Sequence, residues 1–217
     1  MIGEFFVIKR KFIRQMRNIF NNSNDRILDV GCGEKPYYHD FMKGSIICLD
    51  IRKTGKVHVV GDADFLPLKK GSFDKAIMVN SLYYYKNSAN VIDNISSILK
   101  KNGKLLIIAP FFYPIHDSPD DKYRFTEYGV RTILEKNFKI EKIEPVGGLF
   151  NLPVVMLHAL IKGLPLVAPK QLRSIAQLII YIIAYPLYII AQLLSVLDAL
   201  DKTGRFPTYY IAIAARR

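Results

Sequence analysis

Cysteine is scarce. Only Cys32 and Cys48 occur in 217 residues, too few for the disulfide framework of a small secreted domain. The N-terminal stretch also lacks the apolar core and small-residue cleavage site of a secretory signal, so the expected compartment is the reducing cytoplasm. No CxxC pair with matching histidines is present, so zinc ligation is not expected and no metal is assigned. Both thiols read as small buried hydrophobes. No internal repeat is visible. Acidic side chains are few, 19 against 31 Lys plus Arg, and the net +12 favours an anionic partner. What is abundant is apolar: 50% of residues, with 12% aromatic, which excludes a disordered or low-complexity chain.

The charge is uneven. Residues 1–26 carry a net +4, residues 27–157 a net +3 and residues 158–217 a net +5, so the two ends hold most of the excess per residue. The middle reads as alternating strand and helix. Apolar runs at 26–30, 45–50, 56–60, 74–80, 104–109 and 138–145 suit strands covered on both faces. Between them, Val91, Ile92, Ile95, Ile98 and Leu99 follow helical spacing after an Asn and Ser cap signal, with the helix expected over 87–101. Thr126 caps a second helix that turns Val130, Ile133 and Leu134 inward. Strand alternating with helix predicts a doubly wound, mostly parallel sheet.

The chemistry concentrates where the first strand ends, in Ile27, Leu28, Asp29, Val30, Gly31, Cys32 and Gly33. Glycines there let the backbone turn sharply and approach a ligand closely. Asp50, nineteen residues after Gly31, closes the second strand, where a carboxylate can accept both hydroxyl protons of a ribose. The dinucleotide version of this turn needs a third glycine, but Glu34, Lys35 and Pro36 follow. Pro36 removes an amide that a pyrophosphate would use, so a nucleoside without phosphates fits better.

The series continues with Gly61, Asp62, Ala63, Asp64, Phe65, Leu66 and Pro67, then Ser72, Phe73 and Asp74. In this order, from about Arg26 to Pro110, the motifs resemble those of the class I S-adenosylmethionine-dependent methyltransferases, particularly the small-molecule type 11 group. The resemblance implies a seven-stranded Rossmann-like sheet whose last strand, 208–214, runs antiparallel. It implies S-adenosyl-L-methionine as cofactor, with Gly31 and Gly33 facing its methionine part, Asp50 its ribose, and Asp62 with Ala63 its adenine. Asp29 would fix the loop or the amino-acid end, and Asn80 lies where the fourth strand meets the site. For Asp62 the alternative is a surface aspartate or helix cap.

After Asn80 come Ser81, Leu82, Tyr83, Tyr84 and Tyr85, where many relatives carry a His or Glu pair. Tyr84 is a candidate catalytic group and Tyr83 a candidate acceptor contact; simple packing is the alternative. The stretch from His116 to Thr126 resembles a His-Asp-x-Pro and Tyr-Arg-Phe-Thr segment of one subset of that superfamily. It offers His116 as a base with Asp117 or Asp121 to orient it, and Tyr123 with Arg124 to hold an acceptor. The bland alternative is a structural network pinning a lid loop. Methyl transfer itself does not demand a strong base, because the sulfonium is already activated.

The ends carry a second message. From Ser174 to Leu197 no residue is charged, yet Ser174, Gln177, Tyr181, Tyr185, Tyr188, Gln192 and Ser195 fall on one stripe of a helix. Lys162, Lys170 and Arg173 suit headgroup contact, and a shallow membrane position is favoured over a hairpin with 149–168 that re-enters and returns. At the other end Phe5, Phe6, Phe12, Ile13, Met16, Ile19 and Phe20 alternate with Lys9, Arg10, Lys11, Arg14 and Arg17, a basic amphipathic helix suited to an anionic leaflet. The expected organisation is therefore an N-terminal helix (1–25), a methyltransferase domain (26–148 and 206–217) and an apolar helical insertion (149–205). Expected partners are a small hydrophobic or lipid-linked acceptor and the inner membrane face, with a homodimer through the insertion as the rival. Nucleic acid is disfavoured, since the basic groups interleave with aliphatics rather than exposed stacking aromatics. The alternatives to the enzyme reading are a non-catalytic cofactor-binding module and, less favoured, an RNA methyltransferase.

Overall fold

The structure is a computed structural model and describes residues 6–34 and 36–217. Phe5 of the N-terminal pattern and Lys35 of the loop after Gly33 lie outside those residues. Seven strands form one sheet: β1 (Arg26–Val30), β2 (Ser45–Asp50), β3 (Val59–Val60), β4 (Phe73–Val79), β5 (Leu99–Pro110), β6 (Phe138–Val146) and β7 (Tyr209–Arg216). Their order is β3-β2-β1-β4-β5-β7-β6. β1 runs parallel to β2 and β4, β4 parallel to β5, and β7 antiparallel to β5. This is the Rossmann-like methyltransferase architecture that the motif order implies.

Both faces of the central strands are covered, which is why their sequences are continuous apolar runs rather than alternating ones. Leu28, Met78 and Ile107 pack with Val91, Ile92 and Ile95 of α2 (Ser88–Ile98) and with Val130 and Leu134 of α3 (Glu127–Leu134) in one buried cluster. The caps are those expected: the Asn87 side chain accepts from Asn90 N and that of Thr126 from Gly129 N, each at 3.1 Å. α2 stops earlier than its apolar spacing suggests. Leu99 pairs with Phe73 in the sheet, and the register then jumps to Lys75 opposite Lys104. Strand pairing thus captures the last helical-looking turn as a bulge.

The chain divides into two compact units. One comprises 11–111, 117–144 and 209–217; the other comprises the described residues up to Arg10, 112–116 and 145–208. The helix α1 (Phe6–Ile19) corrects the lipid-facing reading of the N-terminus. In the sheet unit Phe12, Met16, Ile19 and Phe20 are buried, with Phe12 edge-on to Tyr209 at 5.3 Å and Gln15 donating to Glu144 at 2.7 Å. The apolar stripe that could meet a leaflet is used by the protein's own core, and the residues from 11 onward belong to the sheet unit rather than standing apart.

The second unit holds α4 (Leu152–Val167) and α5 (Arg173–Leu194), which pack on each other across a short connection. Their root is tied by carboxylates: Asp198 accepts from Gly148 N at 2.9 Å and Phe150 N at 2.8 Å, and Asp201 accepts from Leu149 N at 3.1 Å.

Candidate active site

The carboxyl ends of β1, β2 and β4 converge on the glycine turn. Gly31 (φ 73°) and Gly33 (φ 66°) both adopt the left-handed conformation that favours glycine. Gly31 N donates to Leu49 O at 2.8 Å, and Ser81, just past β4, presses its side chain against Gly31 while its hydroxyl donates to Val30 O at 2.7 Å. A Cβ at Gly33, in contrast, would meet nothing within 4 Å. One glycine is needed for packing and the other leaves open space.

Asp50 is buried, and each of its oxygens accepts a backbone amide: Oδ2 from Gly33 N and Oδ1 from Arg52 N, both at 2.9 Å. A carboxylate has about four acceptor positions, so two remain for the hydroxyls of a ribose. Asp50 therefore both orients the glycine turn and offers itself to a ligand.

Asp29 is fully buried, and of the two roles expected of it, fixing the loop or meeting the amino-acid end, its bonds within the chain serve the first. It accepts from the Tyr38 hydroxyl at 2.8 Å and lies 2.7 Å from His39 Nε2, so it fastens the short 3-10 turn Tyr37–Phe41 beneath the loop rather than facing a ligand. Burial raises its pKa, with His39 and Tyr38 opposing the rise. Asp29, His39 and Cys48 set their ligand atoms within 4.8 Å of one another; sequence spacing gives no sign of this mixed cluster. Cys48 is the buried partner of Cys32, whose hydrogen bond holds the Cys48 thiol low. Tyr38 and His39 escaped the sequence reading, although the run Tyr37, Tyr38, His39 right after Pro36 is an unusual density of ring donors.

A prediction follows from this buried carboxylate. An acid whose folded pKa is raised contributes stability at low pH that is lost as the pH rises through that folded value. His39→Ala removes the chief group lowering it, so the variant should lose about 1–3 kcal/mol, with a larger deficit at pH 8 than at pH 5. Paired thermal melts at the two pH values check this; an equal deficit at both would assign His39 to packing alone.

Asp62 is a cap. Its Oδ1 accepts from Asp64 N at 2.9 Å at the start of the turn Ala63–Phe65, and as with Asp50 such a bond leaves further acceptor positions on the carboxylate. Ala63 is buried beside it. The turn is pinned from α2 by two asparagines one helical turn apart: Asn94 donates to Ala63 O at 3.1 Å and Asp64 O at 2.8 Å, and Asn90 donates to Asp64 Oδ1 at 3.1 Å. Their i, i+4 spacing was the available signal.

Asn80 stands at the mouth of β4 with φ 52°, a conformation rare outside glycine. Its Oδ1 is buried and has no hydrogen-bond partner, a costly state for a polar atom unless a ligand completes it.

The segments after β4 and β5, far apart in sequence, come together. Lys122 N donates to Tyr83 O at 3.2 Å, Lys122 Nζ to Tyr84 O at 2.8 Å, and the Tyr123 hydroxyl to Lys86 O at 3.0 Å. Tyr83 donates to Tyr84 at 3.1 Å, and Tyr84 donates to Asp117. Burial and the bond to Asp117 push the Tyr84 hydroxyl up to about 12, so across the neutral range Tyr84 is a donor and not a base.

The role expected of Arg124 changes. Arg124 has its guanidinium fork taken by Asp121, with Nη2 to Oδ2 at 2.7 Å, and lies over the Tyr83 ring at 5.5 Å. It buttresses the aromatic wall instead of reaching for an acceptor anion. His116 belongs to the other unit, where its Nδ1 is 3.2 Å from Pro114 O and its ring is 5.1 Å from Tyr113. Asp117 and Asp121, expected to orient it, also bind Tyr84 and Arg124.

Residues 28–107 match the family of methyltransferase domains, the stretch that carries the glycine turn, Asp50, Asp62, Ala63 and Asn80. An uncharacterized protein of Methanocaldococcus jannaschii is 30% identical over 122 residues, 53% of this chain. The chain spans 44% of the length of that relative. Among solved structures the fold is similar to that of the [4+2]-cyclase SpnF, with TM-score 0.61 and 16% identity over 95% of this chain and 80% of the other. It is also similar to geranyl diphosphate C-methyltransferase from Streptomyces coelicolor A3(2), crystallised with S-adenosyl-L-homocysteine, with TM-score 0.57 and 12% identity over 96% and 81% of the two chains.

Proposed function

We propose that this chain, whose residues 28–107 match the family of methyltransferase domains, transfers a methyl group from S-adenosyl-L-methionine to a small hydrophobic or lipid-linked acceptor at the cytosolic face of a membrane. The observation that carries the cofactor half is the unpartnered, buried Asn80 Oδ1 beside a glycine turn held by Asp50. A donor-bearing ligand would satisfy that oxygen, and at Gly33 an added Cβ would meet nothing within 4 Å. The residues present thus fit S-adenosyl-L-methionine, with Gly31 and Gly33 at the amino-acid part, Asp50 at the ribose and the Ala63 turn at the adenine. When bound, this cofactor supplies a methyl group already activated on a sulfonium.

The chain's own work is then positioning. Asp50 holds the turn and the ribose together, Asn90 and Asn94 fix the adenine-side turn, and Ser81 sets the height of the glycine loop. Tyr83 and Tyr84, backed by Arg124 and Lys122, form an aromatic wall that keeps water from the acceptor. Holding an acceptor atom in line with the methyl can supply most of the acceleration. The hydroxyl chain Tyr83, Tyr84, Asp117 gives a path by which an acceptor proton reaches a carboxylate. A hydrophobic acceptor suits an aromatic wall whose one guanidinium is already paired, and the apolar insertion between β6 and β7 points the same way.

Calorimetry with S-adenosyl-L-homocysteine and label transfer from methyl-labelled cofactor into a lipid extract of cells test the two halves. Binding together with label in the organic phase is expected. No binding overturns the reading. Binding without transfer would favour a non-catalytic module, the reading suggested by tyrosines standing where relatives carry His or Glu.

A further inference from the structure

The α4–α5 hairpin is built inside out for water. On α5, Ile182 is 66% exposed and Leu193 65%, while Gln192 is 5% exposed and Ser195, just past its end, is fully buried. The polar stripe that the sequence suggests as a water-facing side turns inward along its second half. Gln192 Nε2 donates to the Tyr188 hydroxyl at 2.8 Å and the Ser195 hydroxyl donates to Gln192 O at 2.7 Å. His158 of α4 lies against Tyr188 at 6.2 Å between ring centres. A helix surrounded by water hides Ile and shows Gln; one surrounded by hydrocarbon does the reverse, since an unpaired amide in lipid is costly and an aliphatic there costs nothing.

The exposed aliphatics are not a single docking strip. With 100° per residue, Leu178, Ile182, Ile190 and Leu194 spread over about half the circumference of α5, and α4 adds Met156, Leu160 and Leu164. One partner copy would cover only one side of such a hairpin.

Length and charge decide the orientation. The 22 residues of α5 span about 33 Å, and the 19 residues Leu149–Val167, α4 with the 3-10 turn before it, about 28 Å, against a hydrocarbon core of roughly 30 Å. Lys170 and Arg173 sit together at the connection between the helices, and no charged residue follows until Asp198. No acidic residue occurs anywhere from 145 to 197. A helix lying flat in the interface carries Lys or Arg along its polar face; α5 carries cations only at the tip, one helix length from the acidic root. Lys162, less than two turns before the end of α4, reaches the same tip through its flexible stem.

We propose that the hairpin crosses a lipid bilayer twice, with Lys170 and Arg173 at the far headgroups, so that the chain returns to the side it left. This replaces the shallow placement favoured by the sequence, and it stands independently of the methyl-transfer reading.

The test uses the full chain added to phosphatidylglycerol–phosphatidylethanolamine vesicles. Flotation should survive 1 M salt and alkaline carbonate. A maleimide dye on Gln171→Cys should be shielded from external impermeant quencher, and one on Ile183→Cys should be quenched by mid-chain nitroxide lipid. Ile182→Lys with Leu187→Lys, both at exposed positions that leave packing intact, should cut vesicle partitioning by about 100-fold while S-adenosyl-L-homocysteine binding persists. Release by salt, or an externally accessible Gln171→Cys dye on floated protein, overturns the crossing in favour of surface attachment. A stable dimer in buffer that does not float overturns it in favour of self-association.

Discussion

Asp50→Ala should weaken S-adenosyl-L-homocysteine binding by about 100-fold or more in calorimetry. Hydrogen bonds to a charged acceptor contribute roughly 1.5–3 kcal/mol each, and the variant removes two that a ribose would make. It also frees Gly33 N and Arg52 N, which Asp50 holds at 2.9 Å, so the turn loses its shape before any ligand arrives. Asp50→Asn keeps one carbonyl acceptor and should fall between the two, near a tenfold loss. If Asp50→Ala bound like the parent, the site assigned at the ends of β1 and β2 would be wrong.

The second large effect separates the two glycines. Gly31→Ala places a Cβ 2.5 Å from the Ser81 Cβ, at φ 73°. Ser81 cannot retreat easily, being buried and bonded to Val30 O. Left-handed backbone costs an L-residue roughly 1–2 kcal/mol and overpacking about 1–3 kcal/mol more. For a chain of this size that corresponds to a melting point lower by several degrees, on the order of 5–15 °C. Gly33→Ala meets nothing within 4 Å and should cost only the backbone share, yet it fills the space a cofactor would use. Stability should therefore fall mainly in the first variant and cofactor affinity mainly in the second. Equal melting points for the two would show that Ser81 yields and that the loop height is not fixed by it.

Much of the fold is legible in the sequence because it rests on local chemistry. The continuous apolar runs mark strands buried on both faces, Asn87 and Thr126 announce the helices they cap, and glycine at 31 and 33 marks a backbone that other residues cannot follow cheaply. The glycine turn and Asp50 were readable for the same reason: each is placed by its own strand end.

The errors share a cause. Leu99 continues the helical spacing of α2 yet is taken by Phe73 in the sheet, a competition decided by a strand distant in sequence. Arg124 and Asp117 look available until Asp121 and Tyr84 are brought to them. Periodicity finds an amphipathic helix but not what covers it: the stripe of α1 meets its own core, whereas the aliphatic face of α5 stays uncovered.

By itself, then, the sequence determined the alternating architecture, the glycine turn with its aspartate, and the presence of one long uncharged segment, since these follow from side-chain type and spacing along a single element. Only the tertiary structure decided which polar groups are already spent, that Asn80 Oδ1 is among those left without a partner, and which apolar faces remain bare. Those depend on what another part of the chain supplies, and a hydrogen-bond donor or a hydrophobic surface can be used only once.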